Sequence, residues 1–227
     1  METTEISITK QPIKTQIAIR ILYWLIAPTI ILTISLAWWK YPEHYSFFRE
    51  FISQLGSNLS KSGFPNNISS LIMTVGFAFC GLITLIVAII YFIKRNLRYN
   101  YWKGLLNLVL FIGAIGITIP NDHPTLSLFH DIGSGLFIFG FGLLNFISQL
   151  LGFSRKNRPK PSNKNFDFYL DSIMVVIVFL VLILFLLFYI LGKATSNYSL
   201  GILAIAIQKI ILIVDFIAIF FLDLDDI

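Results

Sequence analysis

The sequence predicts an all-α, polytopic membrane protein: a compact bundle of six transmembrane helices with an amphipathic outer interfacial segment. Three observations predict it. Of 227 residues, 56% are hydrophobic and only 13% charged, whereas soluble domains carry about 25% charged residues. Mean hydropathy is +0.80. The apolar residues gather in six runs, most of them near the roughly 20 residues that a helix needs to cross hydrocarbon. A water-soluble core of this length has no room for so much apolar side chain; a bilayer has.

The first run, about 17–39, follows a polar leader and ends in Trp38-Trp39 without a small-residue cleavage site, the pattern of a signal anchor. In the connection 40–69, Phe47, Phe48, Phe51, Ile52 and Leu55 share one face of a helical wheel, with Glu43, Arg49, Glu50 and Gln54 interspersed. That pattern predicts a short helix lying in the interface, closed by Gly56. The second run, 71–93, holds the lone Cys80. It has no internal disulfide partner and reads as a small buried hydrophobe.

The third run, 104–119, is short. Its rise of about 24 Å falls below the roughly 30 Å of the hydrocarbon core, and Pro120 is expected to stop it, leaving Pro120–His123 recessed in the outer interface. In the fourth run, 129–151, His123, Ser127, His130, Ser134, Asn145 and Ser148 fall on one narrow helical face, with Asp131 at its edge. Asp122 is the expected N-cap, with His123 before Pro124 a weaker one. Gly133 and Gly140 flank the polar stripe on one side, Gly135 and Gly142 on the other. Small residues let membrane helices approach closely, so this helix is expected at the bundle centre.

A basic, proline-bearing linker follows at 152–168, then a fifth run, 169–191, bulky and apolar all round, which suits a lipid-facing helix. The sixth, 199–222, contains Gln208, Lys209 and Asp215. A helix ending near Val214 would let Lys209 snorkel to the nearer surface, and this is the expected case. A helix running to Leu222 would embed both charges, and each would need a partner.

Lys and Arg set the expected orientation. Twelve of the 17 basic residues lie before or at the start of the first run or in the connections after the second and fourth. Both termini are therefore expected in the cytoplasm and the protein in the cell membrane, multi-pass, with residues 40–69 and 120–127 outside. The triplets at Asn58, Asn67 and Asn197 have the N-glycosylation pattern and fall on that same outer side. The net charge of +5 does not point to nucleic acid, because the basic residues flank apolar runs rather than covering one folded face.

Two aspartates and two histidines crowd residues 122–131, and Glu43, His44 and Glu50 are expected on the same side. No HExxH or comparable ligand spacing accompanies them, so neither a metal nor another cofactor is expected. A Ser–His–Asp set can be drawn from Ser53 or Ser127 with His130 and Asp122, but no nucleophile elbow supports it. The plain structural reading makes Asp122 a cap and His130–Asp131 core contacts. Against it, ionisable groups within a span are costly and usually functional.

The stretch FISQLGSNLSKSGFPNNISSLIMTVGFAFCGL, followed by AIGITIPNDHPTLSLFHDIGSGLF, resembles a six-span bacterial and archaeal membrane family of unknown function. That family is itself similar to the eukaryotic FRAG, DRAM and Sfk group. The likeness is carried by Ser53-Gln54-Leu55-Gly56, Asn67, Gly116, Pro120, Asp122 and His130, over roughly residues 20–150; Ile119 stands where the family often has Phe. The resemblance implies a compact six-helix bundle with its distinctive residues outside and a role around lipids; it does not assign an enzyme.

The leading expectation is an outer-leaflet pocket for a lipid headgroup or another small polar ligand. Asp122, His123, His130 and Asp131 would line it, with Ser53–Gly56 as lid. The alternative is a membrane-embedded hydrolase or lipid-remodelling enzyme, with or without a metal, using Asp122, His130 and Asp131. A third class is a small transporter with Lys209 and Asp215 on its path.

Overall fold

The computed structural model describes residues 13–156, 166–195 and 198–222. These form six helices, each long and apolar enough to cross a membrane. They are α1 (Ile13–Lys40), α2 (Asn67–Ile93), α3 (Asn100–Ile117), α4 (Ser127–Lys156), α5 (Phe166–Thr195) and α6 (Tyr198–Phe220), with one 3-10 turn, Ile52–Gly56. Successive helices pack side by side in chain order, and α4 also packs on α6, whereas α1 and α6 approach only sparsely. The bundle is thus a ring left ajar between its first and last helices. One end carries the long loop 41–66 and the hairpin 118–126 and is called the loop end below.

The small-residue flank of α4 works as its sequence predicts. A Cβ on Gly133 would lie 2.5 Å from the Gly116 Cα, and one on Gly113 would lie 2.6 Å from the Phe137 backbone nitrogen. Here α3 and α4 touch backbone to backbone. A second close approach joins α1 to α2, where Gly76 leaves room for the Thr33 side chain. The fifth helix presents Ile173, Val176, Leu180 and Ile190 outward, as expected of a lipid-facing helix.

Several expectations are corrected. Residues 47–55 form no interfacial α-helix: a turn at 47–49 leads into the 3-10 turn, and Ile52, Leu55 and Gly56 are buried. This irregular backbone is tolerated because α2 satisfies it. The Asn66 amide donates to the carbonyls of Leu55 (3.1 Å) and Ser57 (2.8 Å), the Ser69 hydroxyl to Leu55 (2.7 Å) and the Ser70 hydroxyl to Gly56 (2.9 Å). The third helix ends at Ile117, before the proline, in keeping with the steric bar to helical geometry at the residue preceding a proline. The fourth begins at Ser127, two residues earlier than the apolar run, so Asp131 lies about one turn into it. The linker at 152–168 is shorter than expected, since α4 continues to Lys156 and α5 starts at Phe166; residues 157–165 lie outside the described residues. The sixth helix continues to Phe220, so Lys209 and Asp215 are both embedded, at 2% and 0% exposure.

Candidate functional site

Asp122 is not a helix cap. One carboxylate oxygen accepts the Asn58 backbone N–H (2.9 Å) and side-chain amide (3.2 Å), and the other accepts the Leu59 N–H (2.9 Å). Beside it the Ser57 hydroxyl donates to the Asn121 amide oxygen at 2.6 Å. Both carboxylate oxygens therefore clasp the hairpin to the long loop. His123 takes over at the start of α4: its Nδ1 accepts the backbone N–H groups of Leu126 (3.2 Å) and Thr125 (3.4 Å). A second tie within the long loop runs from the Ser62 N–H to the Glu43 carboxylate at 3.2 Å. Hydrogen bonding from Ser62 holds that carboxyl below its ordinary range.

His130 is buried, and its Nδ1–H donates to the Ile119 carbonyl at 2.5 Å, which anchors α4 to the end of the α3 segment. With Ser53, Ser134 and Gln208 it lines a cavity of about 30 Å³. Ser53 and His130 line this cavity together, while Asp122 is engaged elsewhere. Gly56 packs against Met73, and Asp131 is half-buried beside Ser134, whose hydroxyl donates to its carbonyl at 3.0 Å. Among the described residues, no three His, Cys, Asp or Glu side chains gather as metal ligands would.

The long loop is also fastened to α6. The Ile52 N–H donates to the Gln208 amide oxygen at 3.4 Å, and the Lys209 ammonium donates to the Glu50 backbone carbonyl at 2.5 Å. The Tyr45 hydroxyl donates to that same carbonyl at 3.1 Å, and burial pushes this hydroxyl well above its usual titration range. The Lys209 ammonium lies 5.5 Å from the Phe47 ring centre, and Phe47 stacks on Trp38 at 5.7 Å.

This is where the ring is ajar. A groove of about 530 Å³ runs between α1 and α6, walled by apolar side chains such as Ile31, Phe216 and Ile217, with Trp38, Phe47 and Lys209 at the loop end. It falls within the roughly 300–1,000 Å³ typical of small-molecule sites. A second crease of about 460 Å³ between α1 and α2 is lined by Leu32, Thr33, Val75 and Phe79 and has no charged group.

Deeper in the bundle, the Asn145 amide donates to the Asp215 carboxylate (3.0 Å) and carbonyl (3.2 Å), and the Gln149 amide donates to the Ala218 carbonyl (3.0 Å). The polar stripe of α4 includes Asn145 and the α6 sequence shows Lys209 and Asp215, but neither pattern specifies a pairing. No local signal marks Glu50 as the partner of Lys209.

No curated protein and no solved structure matches the chain. Residues 25–219, nearly the whole bundle just described, match the model of the family described as "Protein of unknown function (DUF998)", and the chain belongs to that family.

Proposed function

We propose that the protein binds a membrane lipid in the groove between α1 and α6, with its loop end in the outer leaflet of the cell membrane. The observation that carries this reading is the size and setting of the groove. From Ala27 to Trp38 on α1, and from Lys209 to Phe220 on α6, its walls rise by about 16 Å, close to half of the roughly 30 Å hydrocarbon core. One leaflet of acyl chain fits that length. The resemblance to a family that is itself similar to a eukaryotic group with roles around lipids favours the same reading. Ser53, Gly56, Asp122, His123, His130 and Asp131 then act as the frame that holds the loop end rigid above the groove.

The hydrolase reading is weaker, because Asp122 is engaged by Asn58 and Leu59 and does not join Ser53 and His130 at their shared cavity. A transport path through Lys209 and Asp215 is disfavoured because Lys209 lines the α1 groove while Asp215 turns to α4.

Native mass spectrometry of protein released from lipid nanodiscs tests the proposal. Wild type should retain bound lipid. Ile31→Trp and Ile217→Trp, which fill the groove, should lose it with little change in melting temperature, and Leu32→Trp in the α1–α2 crease should keep it. Equal retention by all four proteins would reject the groove as the site.

The orientation has its own check, motivated by the basic asymmetry of the connections. In a Cys80→Ala background, an impermeant thiol reagent applied to intact cells should label Lys61→Cys and not Asn96→Cys, both at exposed positions. The opposite pattern would put the groove in the cytoplasmic leaflet.

A further inference from the structure

We infer that the groove takes a membrane lipid with a negatively charged headgroup, held through an anionic oxygen by the Lys209 ammonium. The inference rests on the lipid-binding reading above and names the class of lipid. Apolar walls cannot make that choice, because a lipid tail gains little on leaving other tails for an equally apolar groove. The crease between α1 and α2 has such walls and nothing else to offer. The α1–α6 groove differs by one charged group, Lys209.

Three features suit Lys209 to an anion. An ammonium has three N–H donors, and the bond it makes among the described residues goes to a backbone carbonyl, that of Glu50, rather than to a carboxylate. The Phe47 ring 5.5 Å away supplies a quadrupole but no formal charge. The Glu50 carboxylate is the acid whose charge reaches Lys209, and the same charge is felt by Tyr41 and Tyr45. A buried cation gains from a further anion that can reach it.

The depth also fits. Trp38 and Trp39 close α1 beside Lys40, whose ammonium sits 3.9 Å from the Trp39 ring centre. Tryptophans of this kind mark the headgroup level of a bilayer. Lys209 lines the groove together with Trp38 and Phe47. A lipid tail lying in the groove would bring its phosphate to this cation.

The experiment compares binding of phosphatidylglycerol, phosphatidylcholine and inorganic phosphate to the purified full-length protein, in wild type, Lys209→Gln and Lys209→Arg. Wild type should hold phosphatidylglycerol at least about tenfold more tightly than phosphatidylcholine. Lys209→Gln should bind both at the phosphatidylcholine level, and Lys209→Arg should keep the preference. Should Lys209→Gln fail to fold, the wild-type preference and its retention in Lys209→Arg still decide the matter. Equal binding of the two lipids by wild type, with both displaced by Ile31→Trp, would overturn the inference and leave lipid binding standing. Absence of either lipid from wild type would reject the underlying reading instead. A preference that persists in Lys209→Gln would move the selection to another cation, and inorganic phosphate binding as tightly as phosphatidylglycerol would remove the lipid from the proposal.

Discussion

Gly133→Leu is expected to be among the most damaging single substitutions in the chain. A Cβ at this position would lie 2.5 Å from the Gly116 Cα and 2.8 Å from its carbonyl carbon, with the Gly113 carbonyl oxygen at 3.0 Å. These are backbone atoms and cannot rotate away, so the whole of α4 must back off from α3. Overpacking typically costs about 1–3 kcal/mol, occasionally more, and a clash with backbone on both sides belongs at the upper end. Even Gly133→Ala should be felt. Gly140 is different, because its added Cβ would meet only the Leu110 and Val109 side chains, at 3.4 Å, and these can adjust. Gly135 faces open space, so Gly135→Ala is the neutral control. Val181 is a poorer control than its lipid-facing helix suggests, since it packs against the core; Val176, at 55% exposure, serves better. Melting temperatures in detergent should fall steeply for Gly133→Leu, modestly for Gly140→Leu and hardly at all for Gly135→Ala. Similar values for all three would mean that α3 and α4 do not touch at this seam.

The second large effect is expected at Asn145→Leu. Asp215 is fully buried, and the Asn145 amide donates to both its carboxylate and its carbonyl. Leucine keeps the branched shape of asparagine with bulkier ends, so the substitution removes the donor and leaves no cavity. A buried acceptor stripped of its donor costs about 1–3 kcal/mol, whereas replacing both partners by apolar groups of similar shape is close to neutral. The double variant Asn145→Leu with Asp215→Leu should therefore be more stable than Asn145→Leu alone, a non-additivity expected of groups in direct contact. If the two losses simply add, the α4–α6 pair is not the unit described. The result also bears on function: a stable, folded double variant that still retains lipid would separate this core pair from the groove.

What the sequence determined by itself is the architecture. Span length and apolar content follow from the thickness of the bilayer, and a helix satisfies its own backbone, so six spans are legible without knowing any contact between them. The glycine flank of α4 was legible too, because helical periodicity places Gly133 and Gly140 on one side whatever their neighbour is. Where each polar group spends its bonding capacity is set by the packed bundle. Asp122 reads locally as a cap, yet its carboxylate serves Asn58 and Leu59, more than sixty residues earlier. Lys209 reads as a snorkelling lysine, yet its partner is the carbonyl of Glu50, 159 residues away. Residues 47–55 have the spacing of an amphipathic helix, but the segment turns inward, and Asn66, Ser69 and Ser70 bond the carbonyls of Leu55, Gly56 and Ser57 at its end. The physical reason is the same in each case. Apolar side chains need only an apolar side of the helix, which local periodicity specifies. A polar group in a membrane needs one particular partner, and the chain brings that partner from a distance that no local pattern records.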